Sequence, residues 1–318
     1  MVPSNSRNPR GMFKSDKWLW IPGILLALLL ALVIRGQRTT PKPAQFTEEP
    51  TISVYFHETG EVKNLPLETY LQGVVAAEMD PSWPLAALEA QAIVARTFTI
   101  KKLEEGPLPN RNAQASTDPK EFQAYNADRI NDRVKQAVQN TRGQVLTHKG
   151  RPIMAWFHAA SGGKTATPAE GLNFKGEATP YVTPVNDVQP EPVQTWTKTF
   201  TNAQVSEACA AVGVDVGTVT SIKIGRRGPS GRAETLIVNG KEVSAPAFRL
   251  AIGGTAMRST LLDEVSMKGD SIVMRGRGYG HGVGMSQWGA WLMAQRGKSA
   301  KDIVTYYYKG VNVDKLWE

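Results

Sequence analysis

The chain has 318 residues, 41% of them hydrophobic and 21% charged, with 29 glycines; this suffices for one large or two ordinary folded domains and excludes wholesale disorder or a collagen-like repeat. A single cysteine, Cys209, excludes a disulfide framework and a multi-cysteine zinc site. Half of the net charge of +8 sits in residues 1–35, where Arg7, Arg10, Lys14, Lys17 and Arg35 face only Asp16, and the rest of the chain shows no basic stripe interleaved with aromatics, so nucleic acid is not an expected partner.

Residues 18–34 (WLWIPGILLALLLALVI) carry no charge, and as a helix they would span roughly 26 Å, enough to cross a bilayer. Arg35, Gly36, Gln37 and Arg38 follow, without a small-residue cleavage site, so a retained anchor is expected rather than a cleaved signal. Basic residues lie on both sides. The four before the segment favour a cytoplasmic tail at 1–17, interfacial Trp18 and Trp20, and an extracytoplasmic chain from Thr39 onward. Residues 35–50 read as a polar, proline-bearing linker and 51–318 as the folded region.

Within it, 51–57 reads as a strand and 67–79 as a helix blemished by Gly73, and Pro84 at a first helical position opens a long helix to about Leu103. A loop runs to Tyr125, then a polar helix over 127–141 and strands at 143–148 and 152–158. In the second half a strand at 196–200 leads into a helix that Thr201 or Asn202 can cap and Gly213 can end. Cys209, among alanines on that helix, reads as inert packing. Strands follow at 219–225, 232–240 and 241–245, with Asn239-Gly240 as a hairpin turn, and another at 271–276. After a glycine-rich loop come two terminal helices, 286–297 and 299–310. The uneven runs predict an α+β fold of mixed helices and antiparallel-rich strands, with one large catalytic region and a smaller inserted or second lobe.

Glu78 ends the apolar run GVVAA, where burial would raise its pKa as a general acid requires; the plainer reading is a solvent-facing acid at a helix end. Arg96 shares a helix face with Ala92, Ile93, Ile100 and Leu103 and needs an anion, either Glu89 as a structural partner or Glu78 or a substrate group. His158 closes a strand before Ser161-Gly162-Gly163, and reads either as a hydrogen-bonded core histidine or as a catalytic one. No G-x-S-x-G elbow supports Ser161 as a nucleophile. Glycine alternates at 276, 278, 280, 282 and 284, unlike the spacing of a dinucleotide or phosphate loop. Such a segment offers one bare face to a flat polymer or to another backbone while Tyr279 and His281 project from the other. Four histidines without H-E-x-x-H make a metal site unexpected.

Taken together, YLQGVVAAEM, ALEAQAIVARTF, the segment from Gln123 to Tyr125, TRGQVLTHKGRPIMAWFHAASGGKT, and GYGHGVGMSQWGA followed by YYYKGV resemble the stage II sporulation protein D family, which includes an amidase-enhancer branch. The resemblance runs in order from about Ile52 to the C-terminus. It implies a lytic transglycosylase that cleaves the bond between N-acetylmuramic acid and N-acetylglucosamine in peptidoglycan already stripped of stem peptides. A cell-wall amidase and other membrane-anchored sporulation proteins are the implied partners, and no cofactor is implied. It places the catalytic glutamate at Glu78 and a family arginine at Arg96. Cleft elements fall at Ser161 to Gly163 and His281 to Gln287, with Gln123, Tyr125, His158, Tyr279 and Ser286 among the substrate-binding candidates. Asp80 stands where the family usually has proline. The zinc held by Cys and His in some members cannot be copied with Cys209 alone. A non-catalytic glycan binder that activates an amidase, and a hydrolytic muramidase using Asp80 as a second carboxylate, are the competing readings.

Overall fold

The computed structural model describes residues 48–187 and 195–318. The anchor expected at 18–34 lies outside the described residues, among which no helix is long and apolar enough to cross a membrane.

A hairpin opens the chain, β1 (Thr51–Phe56) antiparallel to β2 (Glu61–Pro66), and leads into α1 (Leu67–Glu78) and α2 (Leu85–Leu103). The short β3 (Ala115–Ser116) pairs parallel with β1, and α3 (Asp132–Asn140) precedes β4 (Gln144–His148) and β5 (Arg151–Pro152). Next come β6 (Phe157–His158) and α4 (Pro168–Leu172). After β7 (Thr195–Thr201) and α5 (Asn202–Ala211), a sheet in the order β10-β9-β8 forms from β8 (Ile222–Ile224), β9 (Thr235–Val238) and β10 (Lys241–Ser244), and α6 (Ala245–Ile252) follows directly. The antiparallel pair β11 (Leu262–Lys268) and β12 (Ser271–Arg277) completes a sheet with β7. The chain then returns through β13 (Met285–Ser286), α7 (Gln287–Gln295), α8 (Ala300–Tyr307) and β14 (Asn312–Lys315), which pairs with β4.

Two hydrophobic cores result. The first joins Leu71, Val74, Leu88 and Ile93 to Val145 and, from the far end of the chain, Ile303 and Tyr307. The second, with Phe200, Cys209, Leu236, Phe248 and Met274, lies entirely within the sequence interval between the two halves of the first, so the smaller lobe is inserted. Both belong to one compact unit.

The fold is α+β as expected, with local differences. The polar helix begins at Asp132 rather than 127, because the Asn131 side chain accepts from Val134 N–H at 3.0 Å and Asn126 first closes a turn on Asp128. Pro84 precedes α2 instead of occupying its first position. The strand expected over 152–158 breaks into two: β5 pairs with β4, and β6 pairs parallel with β13, setting His158 opposite Ser286. Strands β2 and β11 and helix α6 have no counterpart in the sequence reading, since EVKNLP is exposed along almost its whole length and α6 is short, with Pro246 in its first turn. Thr201 caps α5 through a capping box, and Cys209 is buried beneath it.

Candidate active site

Helix α2 is buried on every side, with Leu88, Gln91, Ala95, Arg96, Thr99 and Ile100 all packed. Against it lies α1, and Glu78 is its last residue. The loop from Gln123 to Asn126 straps across α1. Tyr125 lays its ring on Gly73, where a Cβ would collide with it, and stacks on Tyr70 with centroids 5.9 Å apart, while Asn126 N–H donates to the Gly73 carbonyl at 3.0 Å. The apparent blemish in the helix is therefore the seat of the strap. The strap in turn brings Ala124 N–H to Glu78 Oε1 at 3.0 Å, and Gln287, at the start of α7, approaches Glu78 Oε2 with its Nε2 at 3.4 Å. Behind Gln287 lies the buried amide of Gln91, whose Oε1 is 3.5 Å from the same Nε2.

Glu78 faces a cleft of about 390 Å³. Aromatic rings of Phe98, Phe122 and Trp156 line it, together with His158, Tyr279, His281 and Arg249. Among the described lining residues Glu78 is the sole carboxyl. Burial pushes its pKa from 4.5 up to about 7, and the hydrogen bonds from Ala124 and Gln287 offset only part of that. Half of such a group is protonated near neutral pH, as proton donation and recovery by one residue require.

The two histidines are neutral. His158 Nδ1 lies 3.1 Å from the Val283 carbonyl, which makes it the protonated nitrogen, and Nε2 is a buried acceptor without a partner. His281 Nδ1 accepts from Val283 N–H at 3.0 Å. Burial holds His158 well below its usual range and His281 down to about 3, assisted for His158 by His281 and Arg232 and for His281 by Arg249 and Arg232. The rings sit 5.7 Å apart between centroids. Each Nδ1 is bonded to the Val283 peptide and His281 also bonds the Phe157 backbone, and no group of three or more potential metal ligands occurs among the described residues.

Of the residues singled out from sequence, Glu78, Gln123, His158, Tyr279, His281 and Gln287 come together here. The others lie elsewhere. Arg96 is fully buried in a fork with Glu68, Nε to Oε1 at 3.0 Å and Nη2 to Oε2 at 2.6 Å, and donates through Nη1 to the Gln144 carbonyl. Glu68 also receives Gly143 N–H and Trp317 Nε1, each at 3.0 Å, so the pair ties α1, α2, β4 and the C-terminus together. Glu89, one of the candidate partners, bonds Asn140 instead. Arg96 thus has no surface to offer a substrate. Tyr125 lines a separate surface hollow with Phe56 and His57. Ser161 is buried and its carbonyl accepts from Arg232 Nη2 at 2.5 Å, while Gly162 packs its α-carbon against the Arg277–Gly278 backbone. Ser286 caps α7 by accepting from Gly289 N–H. Asp80 is exposed, with its pKa lowered by Ser82, which donates both backbone and side-chain hydrogens to it at 2.8 Å.

The alternating glycines are bare for an internal reason. A Cβ at Gly280 would lie 2.8 Å from His158 Cβ, and one at Gly284 would strike the Trp156 carbonyl; both residues have positive φ, 106° and 73°. The protein's own backbone and side chains, not a glycan, occupy the face they leave open.

The stage II sporulation protein family model matches residues 55–148. The chain is 33% identical over 281 residues to the stage II sporulation protein D of Bacillus subtilis, covering 83% of this chain and 79% of that protein, and 34% identical over the same length to that of Bacillus amyloliquefaciens. This chain belongs to the stage II sporulation protein D family. An uncharacterized protein of Brachyspira hyodysenteriae is 33% identical over 254 residues, spanning 79% of this chain and 67% of its own length. The amidase enhancer of Bacillus subtilis is more distant, 27% identical over 76% of this chain and 40% of its own length. A second model, of a domain of unknown function, matches residues 186–284. The cleft of this family member draws on both matched regions, Glu78 and Gln123 from the first and Arg249, Tyr279 and His281 from the second; His158 lies between them and Gln287 beyond.

Proposed function

We propose that this protein is a lytic transglycosylase acting in the cell wall during sporulation, cleaving the bond between N-acetylmuramic acid and N-acetylglucosamine in peptide-stripped peptidoglycan. The observation that carries this reading is the single carboxyl among the described lining residues of the cleft, poised near neutrality. Hydrolysis by the usual route needs two carboxyl groups flanking the scissile bond. Intramolecular attack needs one. Protonated Glu78 donates to the glycosidic oxygen as the bond to the muramic anomeric carbon breaks, the muramic C6 hydroxyl attacks that carbon, and the Glu78 carboxylate takes the hydroxyl proton. The products are a 1,6-anhydro ring and a free hydroxyl on the leaving sugar, with no water consumed. The partnerless Nε2 of His158 supplies an acceptor for a hydroxyl or acetamido N–H of the bound glycan, and the aromatic residues of the lining supply faces for sugar rings.

The relation to an amidase enhancer favours a second reading, a glycan-gripping activator of a cell-wall amidase without cleavage. Anchorage through residues 18–34 with the cleft outside the cytoplasm completes the proposal. Mass spectrometry of peptide-free glycan digested by the full chain separates the alternatives: anhydro-muramic ends support transglycosylase action, reducing ends mean hydrolysis, and no cleavage leaves the activator.

A further inference from the structure

Arg249 reaches the cleft from α6, in the inserted lobe, and was not marked by any motif. Its Nε donates to the Arg258 carbonyl at 3.1 Å and its Nη2 to the Gly254 carbonyl at 3.0 Å, so the plane of the fork is fixed by the loop that ends the helix. Among the described residues Nη1 bonds nothing and no carboxylate pairs with this guanidinium. A partly buried cation without an anion is costly, and the cost is recovered when an anion arrives. The surroundings are set for one. Arg232 is buried nearby with its Nε unpartnered, Arg258 stacks over the Tyr279 ring at 5.6 Å, and both cleft histidines feel the positive field of Arg232 and Arg249.

Muramic acid bears a lactyl ether. Where a stem peptide is attached, the lactyl carbonyl is a neutral amide; where the peptide has been removed, it is a carboxylate. We propose that Arg249 binds that free lactyl carboxylate through the open edge of its guanidinium, and so makes the cleft selective for glycan on which an amidase has already acted, a role that rests on the glycan-cleaving reading above. A guanidinium suits a carboxylate because two parallel N–H donors match its two oxygens, whereas an amide offers one acceptor and an N–H that the fork repels.

The test uses the full chain carrying Glu78→Gln, which blocks turnover, and two probes: a muramic-acid-containing tetrasaccharide with free lactyl carboxylates, and its methyl ester. The free acid is expected to bind about ten- to a hundredfold more tightly than the ester, the range for a hydrogen bond to a charged group. With Arg249→Met added the ratio should fall to near one, and with Arg249→Lys, which keeps the charge but loses the fork, part of it should remain. Equal affinity for acid and ester before Arg249 is changed would overturn the assignment without any appeal to a variant's folding. Retention of the full ratio in a folded Arg249→Met protein would also overturn it. If neither probe binds, the glycan reading itself fails; if both bind without discrimination, only the role of Arg249 does.

Discussion

Glu78→Gln is expected to stabilise the protein as it inactivates it. A carboxyl whose pKa is raised on folding binds its proton more tightly in the folded state than in the unfolded, so stability falls as pH rises through the interval between the two values. For Glu78 that interval runs from 4.5 to about 7. At about 1.36 kcal/mol per unit, ionised Glu78 costs the fold roughly 3 kcal/mol at pH 8 and nothing below pH 4.5. Glutamine carries no such charge. Its carbonyl can keep the Ala124 N–H, and its amide can face Gln287 if the Gln287 and Gln91 side chains each turn over, exchanging donor and acceptor along the row. Urea unfolding of residues 45–318, followed by tryptophan fluorescence, should therefore show the variant more stable than the parent at pH 8 and equal to it at pH 4.5. Cleavage should fall by at least about 10²- to 10⁴-fold. A variant no more stable at pH 8, or stabilised equally at both pH values, would show that Glu78 is not a buried acid with a displaced titration.

The wild-type rate should fall above about pH 7 along a single titration, as the proton donor is lost, and Asp80→Asn should change it little; an Asp80 variant as dead as Glu78→Gln, with reducing ends in the product, would support two-carboxylate hydrolysis. Glu68→Ala strands the Arg96 guanidinium in the first core and should cost about 3–5 kcal/mol in chemical denaturation; a normally stable Glu68→Ala protein would contradict that account. Gly284→Ala forces a Cβ onto the Trp156 carbonyl at positive φ and should destabilise by at least about 2 kcal/mol, or prevent folding, as read by melting temperature. Chelator treatment should leave cleavage intact, and stoichiometric zinc whose removal abolishes activity would show that the cleft works with a metal after all. The full chain should sediment with membranes and be open to external protease beyond Thr39; a soluble secreted form beginning near residue 36 would refute anchorage.

Local sequence determined most of the helices, a cap at Thr201 or Asn202, the Asn239-Gly240 turn and the family motifs, because periodicity, caps and turn residues act over a few positions. It also singled out Glu78, since an acid closing an apolar run is unfavourable wherever it is buried. Only the tertiary structure decided the partners. Arg96 pairs with Glu68, 28 residues away, rather than with Glu89 on its own helix, because its side chain runs into the core where Glu68 lies while Glu89 sits half-exposed on Asn140. The glycine alternation showed that something must approach closely, but whether a ligand or the chain itself could not be read from spacing, and β6 and Arg232 fill the gap. Arg249 carried no local signal at all. Its guanidinium acquires meaning only because the inserted lobe folds back to place it in the same cleft as Glu78, the one carboxyl among the described lining residues, and that juxtaposition depends on long-range packing of two cores rather than on any neighbouring residue.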